Sequence, residues 1–542
     1  MPRSGLPHDG VHGRGETGER MRSIDFFDKG VDLTPDRIAL IEGDQRMTFL
    51  ELQRETFRFA AALVRDGAPR QSTVAIYAPN HWTVLVALFG LWRAGCKWVP
   101  VNARNAIDAN AEYLDYVRCE RLFYHSSMAA EAELLRQRVP SLVSLICLDK
   151  PNAGDRSLDQ FMDGLAPEDY VDEPDCFGNL EEIVGIFATG GTTGASKGVQ
   201  VTNMGWGTML ATAATAFETN EPDKVCLVVA PLTHAAGPVS TVMLSLGATN
   251  IIHPGFDAGN VLTAIEEHKI THMYLPPTAL YGVLDHPKLH ETDLSSLRRF
   301  LVVGSPVAPD KLRQAAEIFG DCMCQCYGQV ESPMILTWLP PQDVSAAAKG
   351  DRPQRLASCG KATTHVRLGI MDDDGKLLDV GERGEIVARG PLVSLEYFEL
   401  PEATAEAHRN GWHHTGDVGY RDAEGYFYIV DRKKDMIVTG GFNVFSAEVE
   451  AAIMEMPEIM EAAVIGVPDP KWGEAIKALV VVAQGQTIDP QAIIAYCKQR
   501  LGGVKAPKSV ELVDSLPKTA AAKMDKKALR ARYWRNEERL VH

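Results

Sequence analysis

The sequence predicts an α/β fold with a large N-terminal domain and a small, mobile α+β domain at the C-terminus. Over most of the chain, short apolar runs alternate with helical patterns, which indicates crossover connections between mostly parallel strands. From residue 365 onward the apolar runs shorten and turns separate them, which favours an antiparallel subdomain. With 542 residues the chain is too long for one hydrophobic core, so we expect at least two domains.

The first part of the chain carries the alternation of helices and strands. Apolar residues at helical spacing predict helices at 50–64 and 81–93. Apolar runs predict strands at 74–77, 98–101, 122–124, 142–148, 183–187, 225–230, 249–252, 272–275 and 300–303. Since ligands of parallel sheets bind beyond the carboxyl ends of the strands, the loops that follow these strands are expected to share one cleft.

The C-terminal domain is predicted from a second series of elements. Helical patterns at 447–456, 490–500 and 525–533 alternate with strand patterns at 462–467, 478–482 and 509–513. The first 20 residues differ from both domains, because they are rich in Gly, Arg and Glu and contain no apolar cluster. We therefore expect residues 1–20 to be a disordered N-terminal tail.

Composition and charge exclude several classes of protein. Apolar residues at 45% and charged residues at 23% are ordinary for a soluble globular protein. The formal net charge of −17 leaves no basic surplus to neutralise phosphates, so no nucleic-acid partner is expected. No apolar run approaches the roughly 18 residues of a membrane span, so no transmembrane segment is expected. With ten cysteines and no signal peptide, the expected location is the cytoplasm, where thiols stay reduced.

The most informative motif is a loop rich in glycine and threonine. Four glycines, three threonines, one serine and one lysine fall within residues 187–198. Small residues let backbone N–H groups converge on an anion, and hydroxyl groups add donors, so the loop is predicted to bind a polyphosphate. It is not a Walker P-loop, because Ser196 rather than glycine precedes Lys197. A flexible linker is the alternative, although strand-like runs flank the loop on both sides.

Further motifs that follow strand patterns are typical of nucleotide contacts. Tyr327, followed by Gly328, leaves an aromatic face open to a base, and Glu331 places a carboxylate where it can hold magnesium. Residues 304–306 (Gly-Ser-Pro) end another strand and allow close backbone approach to a planar ligand. Each of these motifs alone is also compatible with an ordinary turn.

A carboxylate and a guanidinium lie late in the large domain. Asp417, which follows Thr-Gly, can accept hydrogen bonds from two vicinal hydroxyls such as those of a ribose. Arg432 is a donor of fixed charge at the end of a predicted strand. The charged cluster at 431–435 can alternatively be a solvated turn.

Three cysteines alternate at Cys322, Cys324 and Cys326, which suggests a metal site at first sight. Alternation places them on one face of a strand, where a free cysteine behaves as a small hydrophobe. A fourth ligand at the usual zinc spacing is missing from the sequence around them. We therefore predict a core strand.

Taken together and in this order, the motifs resemble those of the adenylate-forming superfamily, which includes acyl-CoA synthetases, peptide-synthetase adenylation domains and luciferases. The resemblance covers about residues 48–529 and includes Lys523, which lies in a loop of small residues. It implies a reaction in two halves that uses ATP, Mg²⁺ and coenzyme A. A carboxylate first attacks the α-phosphate of ATP to give acyl-AMP and pyrophosphate, and a thiol then displaces AMP.

The resemblance also implies roles for individual residues. It implies that the phosphates of ATP are bound by Thr189, Gly190, Gly191, Thr192, Thr193, Gly194 and Lys197, and that magnesium is bound by Glu331. The adenine would contact Tyr327 and Gly328 together with Gly304, Ser305 and Pro306, and the ribose would contact Asp417 and Arg432. The acyl pocket would include His234, Tyr274 and Pro276, and the coenzyme A tunnel would include Gly440, Gly441 and Phe442. Lys523, Glu331 and Thr189 are the implied catalytic residues, and Lys434 is the implied hinge. The implied domains are residues 21–432 for adenylation and 433–542 for a C-terminal domain that swivels.

The sequence departs from the family pattern at several positions. Gly190 stands where serine is commoner, Ser196 where proline is usual, and Val330 replaces a threonine that normally helps to bind phosphate. Two alanines at 521–522 stand where Ser-Gly is usual, which stiffens the lysine loop. None of these changes removes a charged group, so we expect an active enzyme.

The expected function is that of an AMP-forming acyl-CoA ligase, an acid–thiol ligase. The expected substrate is an apolar aliphatic, cyclic or aromatic acid, because residues 231–234 and 273–281 contain no Arg or Lys to pair a second carboxylate. An adenylating enzyme that loads a carrier protein or another acceptor is the first alternative, and a non-catalytic nucleotide-binding regulator is the second. The motifs do not determine the oligomeric state, and a homodimer stays open.

Overall fold

The computed structural model describes residues 21–152, 154–171, 180–189, 196–519 and 523–534. The predicted disordered tail at 1–20 lies outside these ranges, as do residues 190–195 of the predicted phosphate loop. The described strands are β1 (Ile38–Glu42), β2 (Gln45–Thr48), β3 (Thr73–Tyr77), β4 (Lys97–Pro100), β5 (Arg121–Tyr124), β6 (Ser144–Cys147), β7 (Arg156–Ser157), β8 (Ile183–Ala188), β9 (Gly198–Thr202), β10 (Val225–Val228), β11 (Thr249–Ile252), β12 (His272–Leu275), β13 (Arg299–Val302), β14 (Met323–Tyr327), β15 (Thr337–Leu339), β16 (Gly360–Ala362), β17 (Arg367–Met371), β18 (Gly384–Arg389), β19 (Glu396–Tyr397), β20 (His413–Arg421), β21 (Tyr426–Arg432), β22 (Ile437–Thr439), β23 (Phe442–Val444), β24 (Ile459–Asp469), β25 (Gly473–Val482) and β26 (Ser509–Leu512).

Helices alternate with the strands through most of the described chain. They are α1 (Ser23–Leu33), α2 (Phe49–Arg65), α3 (Trp82–Arg93), α4 (Ile107–Tyr116), α5 (Ala129–Arg138), α6 (Leu158–Phe161), α7 (Asn203–Phe217), α8 (Ala236–Ser245), α9 (Ala258–Glu267), α10 (Pro277–Leu284), α11 (Pro309–Phe319), α12 (Pro341–Ala348), α13 (Pro401–Ala407), α14 (Ser446–Met454), α15 (Pro490–Leu501) and α16 (Lys526–Ala531). Helix α2 begins with a capping box, in which the Thr48 hydroxyl accepts from the Glu51 N–H and the Glu51 carboxylate accepts from the Thr48 N–H. The helices predicted at 50–64 and 81–93 are α2 and α3.

The largest sheet combines a parallel part with an antiparallel part. Its strand order within the described residues is β17-β18-β20-β21-β16-β15-β14-β13-β12-β10-β11-β1-β2. Strands β11, β10, β12, β13 and β14 are parallel neighbours, whereas the strands from β14 to β17 pair antiparallel. The predicted antiparallel subdomain is therefore present, and it continues the parallel sheet edge to edge.

A second sheet, in the order β19-β9-β8-β4-β3-β5-β6-β7, is parallel except where β8, β9 and β19 pair. Helices α3, α7 and α8 pack against strands of the two sheets. Every residue of α3 from Thr83 to Arg93 is buried, because the helix is enclosed on all sides. The rings of Trp98, Trp206 and Phe187 contact one another below the end of β8, so an aromatic cluster supports the strand that enters the phosphate loop.

The C-terminal domain is a five-stranded sheet covered by helices α14, α15 and α16. Strands β23, β22, β25 and β24 pair antiparallel, and β26 adds to β25 in parallel. Its apolar core contains Val464, Ile476 and Ile493, one residue from each of two strands and one helix. The predicted small α+β domain is confirmed.

Two further expectations concern cysteines and membranes. Cys324 and Cys326 lie on β14 and Cys322 directly precedes it, and all three are buried with apolar residues. Their burial on and beside this strand confirms the prediction of a core strand. Among the described residues, no helix is long and apolar enough to cross a membrane.

Candidate functional site

The predicted site residues follow strands that end at one edge of the largest sheet. Strands β10, β12, β13 and β14 run parallel side by side, and they are followed by His234, Pro276, Gly304 and Gly328 respectively. Since the carboxyl ends of parallel strands meet at one edge, these loops face a common cleft. A cavity of about 110 Å³ opens at the same edge, between Asn80, Arg104, Thr233 and Pro254.

Asp417 is the centre of a hydrogen-bonded cluster in this cleft. Its carboxylate is buried and accepts from the Tyr327 hydroxyl at 2.6 Å and from the Gln329 amide at 2.7 Å. Arg432, opposite Asp417 in the β20–β21 pair, places its Nε 2.8 Å from the other carboxylate oxygen. The charge of Asp417 raises the pKa of Arg432, and burial raises the pKa of Tyr327, so the cation and the phenol keep their protons.

The Gln329 side chain was not singled out from the sequence. Its amide also donates to the carbonyl oxygen of Thr415 at 2.8 Å, so it ties the Tyr327–Glu331 segment to the segment that carries Asp417. The sequence does show that Gln329 lies between two predicted site residues, Gly328 and Glu331. An amide side chain is not typical of any one role in a site, so the sequence did not indicate its hydrogen bonds.

Gly328 is required by the protein's own backbone. A Cβ atom at this position would lie 2.4 Å from the backbone carbon of Met334 and 2.9 Å from the backbone nitrogen of Ile335. Such distances are too short for any side chain, so the segment from 328 to 335 can fold back only with glycine here. Glu331 lies within this folded-back segment.

The Glu331 carboxylate is held by a tyrosine that sequence analysis missed. The Tyr397 hydroxyl donates to Glu331 Oε1 at 3.0 Å, and the Ser394 N–H donates to the Glu331 carbonyl oxygen at 2.7 Å. The Lys197 ammonium lies 4.7 Å from the centre of the Tyr397 ring. No spacing rule connects Tyr397 with either residue, because the contacts arise from long-range strand pairing.

The two ends of the predicted phosphate loop are joined to each other. The Thr189 N–H donates to the Lys197 carbonyl oxygen at 2.9 Å, and the Lys197 N–H donates to the Thr189 hydroxyl at 3.2 Å. Strands β8 and β9 pair antiparallel up to Ala188 and Gly198, so these two strands form a hairpin. Gly190, Gly191, Thr192, Thr193 and Gly194 lie outside the described residues.

Lys523 of the small domain lies in the same cleft. Desolvation and the charge of Arg432 lower its pKa, while the carboxylates of Asp417 and Glu331 act in the opposite direction. The pKa of His234 is lowered to about 4, mainly by desolvation and to a smaller extent by the positive charge of Lys523. Both side chains are accessible to solvent, but the walls of the cleft displace much of the surrounding water. The site therefore combines residues of both domains.

A contact across the predicted hinge accompanies this arrangement. The Asp431 carboxylate accepts from the N–H and the hydroxyl of Ser446, the latter at 2.7 Å, and thus caps the first turn of α14. Asp435 pairs with Arg530 of α16 at 2.7 Å. Lys434 lies between these contacts in a 3₁₀ turn, Lys433–Asp435.

The predicted coenzyme A residues form a turn in the small domain. Gly440 and Gly441 have φ values of +58° and +82° and form the turn between β22 and β23. The Gly440 N–H donates to the carbonyl oxygen of Trp472 at 2.8 Å, and the Phe442 side chain is exposed. The contacts described for this turn stay within the small domain.

The predicted acyl-pocket residues have different environments. Tyr274 is buried, and its hydroxyl would lie 3.6 Å from a Cβ atom at Gly304, so it points toward the Gly304–Pro306 loop. Pro276 occupies the N-cap position of helix α10 and is partly buried. His234 is accessible from the cleft and, with its pKa near 4, is neutral at physiological pH.

A comparison with protein-family models identifies two domains. The model described as AMP-binding enzyme matches residues 27–398, and the model described as AMP-binding enzyme C-terminal domain matches residues 448–523. The chain belongs to the AMP-binding enzyme family. The resemblance to the adenylate-forming superfamily is thereby confirmed.

Curated relatives of this AMP-binding enzyme align over nearly its full length. It is 37% identical to the medium/long-chain-fatty-acid–CoA ligase FadD8 of Mycobacterium tuberculosis, with 93% of this chain and 88% of the relative covered. It is 36% identical to a feruloyl-CoA synthase of Amycolatopsis, with 92% and 97% covered. An indoleacetate–CoA ligase of Aromatoleum aromaticum is 32% identical, with 94% and 98% covered.

Solved structures of other family members have the same fold. The amide bond synthetase McbA of Marinactinospora thermotolerans is 30% identical with a TM-score of 0.85, and 95% of this chain and 100% of McbA are covered. ATP-bound MatB of Rhodopseudomonas palustris is 28% identical with a TM-score of 0.84, over 95% and 99% of the two chains. Proteins similar to this chain thus include one named an amide bond synthetase as well as CoA ligases.

Proposed function

We propose that the protein is an AMP-forming acyl-CoA ligase that activates an apolar carboxylic acid with ATP and transfers the acyl group to coenzyme A. The observation that carries the proposal is the position of Lys523. The ammonium of this small-domain lysine is near enough to Glu331, Asp417 and Arg432 of the large domain for their charges to act on its pKa. The CoA ligases among the relatives support the same reaction. A cytoplasmic location, where ATP and coenzyme A are both available, is part of the proposal.

The cluster around Asp417 would bind the nucleoside part of ATP. Asp417 keeps free lone pairs beside its three partners, so its oxygens can accept from ribose hydroxyls while Arg432 holds the carboxylate in place. The Tyr327 ring and the exposed Gly304–Pro306 loop would enclose the adenine. The N–H groups and hydroxyls of the loop that begins at Thr189 would bind the phosphates.

The residues present fit a magnesium ion that enters with ATP. Mg²⁺ is usually held by one or two carboxylates together with substrate phosphates and water. Glu331 uses Oε1 to accept from Tyr397, and its second oxygen stays available as a hard oxygen ligand. Within the described ranges no cluster of three His, Cys, Asp or Glu residues forms a cage of its own, which fits an ion shared with the substrate. When bound, the ion would neutralise phosphate charge.

Lys523 would promote the first half-reaction. A carboxylate oxygen must approach the α-phosphate, and the two anions repel each other. The Lys523 ammonium can donate to an oxygen of each, which stabilises the charge that builds as the new P–O bond forms and pyrophosphate leaves. His234 beside it is neutral at physiological pH and therefore does not compete with Lys523 for the substrate carboxylate.

The second half-reaction would need a different arrangement of the domains. The contacts of the turn at Gly440 and Gly441 stay within the small domain in this structure, and we propose that the turn approaches the acyl-AMP only after the small domain rotates. We propose Lys434 as the hinge and 433–542 as the moving domain. The thiol of coenzyme A then attacks the acyl carbonyl, a C–S bond forms, and AMP leaves.

The substrate is proposed to be an apolar monocarboxylate. Residues 231–234 and 273–281 include no Arg or Lys, and a second carboxylate buried without a partner would be costly. Burial of one methylene contributes about 0.8 kcal/mol, so kcat/KM should rise about fourfold per added carbon until the pocket is full.

An ATP–pyrophosphate exchange assay with a panel of acids tests this function. We expect exchange with fatty, cyclic or aromatic monocarboxylates, and formation of a thioester after coenzyme A is added. Preference for malonate or a free amino acid over hexanoate and benzoate would contradict the substrate proposal. Exchange without thioester formation would favour a carrier protein or another acceptor, and no exchange with any acid would favour a regulator.

A further inference from the structure

A short segment connects two motifs that lie far apart in the sequence. We call residues 394–398 the strap segment. The Ser394 N–H donates to the Glu331 carbonyl oxygen at 2.7 Å, and the Phe398 N–H donates to the Gly198 carbonyl oxygen at 2.7 Å. Between them, β19 pairs with β9 so that Tyr397 lies opposite Val199. The strap segment thus fixes the backbone next to Glu331 and the backbone next to Lys197.

Tyr397 adds side-chain contacts at the same two places. Its hydroxyl donates to Glu331 Oε1 at 3.0 Å, and its ring lies 4.7 Å from the Lys197 ammonium. An ammonium ion is attracted to an aromatic face even where no carboxylate pairs with it. Burial and the charge of Glu331 raise the pKa of Tyr397, so the phenol keeps its proton and stays a donor.

Through these contacts, one side chain lies against both an anion and a cation. Glu331 and Lys197 contact different parts of one ring system, the hydroxyl and the face. Without the ring that contacts both of them, the two opposite charges would attract each other and would be free to form an ion pair. In such a pair, the carboxylate would lose a lone pair and the ammonium would lose the freedom to contact another anion.

We propose that Tyr397 is a positioning residue for adenylation, which separates Glu331 from Lys197 and orients the carboxylate toward a metal ion and the ammonium toward the phosphates of ATP. This inference rests on the proposed function, because it assigns the two charged groups to Mg·ATP. Tyr397 itself contacts neither reactant in this assignment, and it acts through the two residues that it holds.

Two substitutions separate the hydroxyl from the ring. Tyr397→Phe removes the donor to Glu331 and keeps the face below Lys197, whereas Tyr397→Leu removes both. Tyr116→Phe is the matched control, since the Tyr116 hydroxyl donates to the Phe398 carbonyl oxygen and so tethers the same strap segment. The control residue is not part of the Glu331 or Lys197 contacts described above.

The direct measurement is calorimetric binding of ATP to the full chain over a range of Mg²⁺ concentrations. One lost hydrogen bond to a carboxylate should raise the Mg²⁺ concentration for half-maximal ATP binding by about tenfold or more in Tyr397→Phe. In Tyr397→Leu, ATP binding should weaken further and depend less on Lys197. Thioester formation from supplied acyl-AMP should stay within about twofold of wild type in both variants, since that step no longer involves the leaving phosphates.

Unchanged Mg²⁺ dependence in Tyr397→Phe would overturn the proposal. An equal shift in Tyr116→Phe would also overturn it, because the effect would then come from the strap segment as a whole. Thermal unfolding of each variant checks that the fold is intact. If the wild type binds Mg·ATP but adenylates no acid, the proposed function fails, while the binding comparison still decides whether Tyr397 positions the two charges.

Discussion

Replacing Lys523 by alanine should separate the two half-reactions. In this structure the charges of Glu331, Asp417 and Arg432 act on the lysine, and its proposed role is to hold a carboxylate against the α-phosphate. Removal of one preorganised donor where charge builds typically costs about 2.7–4 kcal/mol of transition-state stabilisation. Adenylation should therefore slow by about 100- to 1,000-fold.

The surroundings of Lys523 favour the upper part of that range. Arg432 is paired with Asp417 at 2.8 Å, so its charge is already largely compensated. Among the described residues, no carboxylate lies within ion-pair distance of Lys523. Its charge therefore stays available for the reactants, and Arg432 cannot replace it.

ATP–pyrophosphate exchange measures the first half-reaction, and thioester formation from supplied acyl-AMP measures the second. The matched control is Lys518→Ala in the same loop, where the lysine pairs with Glu461 at 2.6 Å near the surface and contributes at most about 1 kcal/mol. We expect exchange to fall in Lys523→Ala only, with thioester formation within a few-fold of wild type. Equal loss of both halves would refute the reasoning.

Three further predictions concern the hinge, the core and pH. Lys434→Pro should retain pyrophosphate exchange and lose thioester formation, because a fixed φ hinders rotation at the hinge. Arg93→Met should destabilise the large domain by about 3 kcal/mol in chemical denaturation, since the fully buried guanidinium pairs with Asp28 at 2.7 Å, whereas the double change with Asp28→Leu should recover most of that loss. Buried His272 has its pKa lowered to about 4, so the unfolded chain binds a proton that the folded chain does not between pH 6.5 and 4. The free energy of unfolding should therefore fall by up to about 1.4 kcal/mol for each unit that the pH is lowered within that window. In thermal unfolding, the melting temperature of His272→Gln should depend less on acid pH than that of the wild type.

Each of these has an outcome that would contradict it. Wild-type overall turnover in Lys434→Pro would place the hinge elsewhere. Equal instability of Arg93→Met and of the double variant would show that packing, and not the unpaired Asp28 charge, sets the cost. An unchanged pH dependence in His272→Gln would show that its proton is not excluded by folding.

The alternation of apolar runs and helical patterns was sufficient to predict most elements of the fold. The strands predicted around 225–303 are β10 to β13. Parallel strands that are buried on both faces consist of short, continuous apolar runs, so each of them can be predicted from its own residues alone. The joining of the antiparallel strands to the parallel sheet was not predicted. It depends on the pairing of β14 with β15, which unites segments through backbone hydrogen bonds and not through a side-chain pattern.

In the candidate site as well, residues with a local sequence pattern were predicted and contacts that depend on strand pairing were not. Asp417 and Arg432 were recognised by residue type and order, and the structure places them opposite each other in one strand pair. Tyr397 was missed, since its contacts with Glu331 and Lys197 span 66 residues in one case and depend on the β9–β19 pairing in the other. Contacts of this kind have no linear spacing, so they become visible only in three dimensions.

The close approach at Gly328 changes how this motif is interpreted in related sequences. Because a side chain there would collide with the backbone at Met334 and Ile335, selection for folding alone suffices to retain the glycine. A descendant that lost catalysis would keep Gly328 as long as it kept its shape, whereas Lys523, exposed in the cleft, would be free to drift. Divergence at the lysine with retention at the glycine would therefore mark relatives that have become scaffolds or regulators.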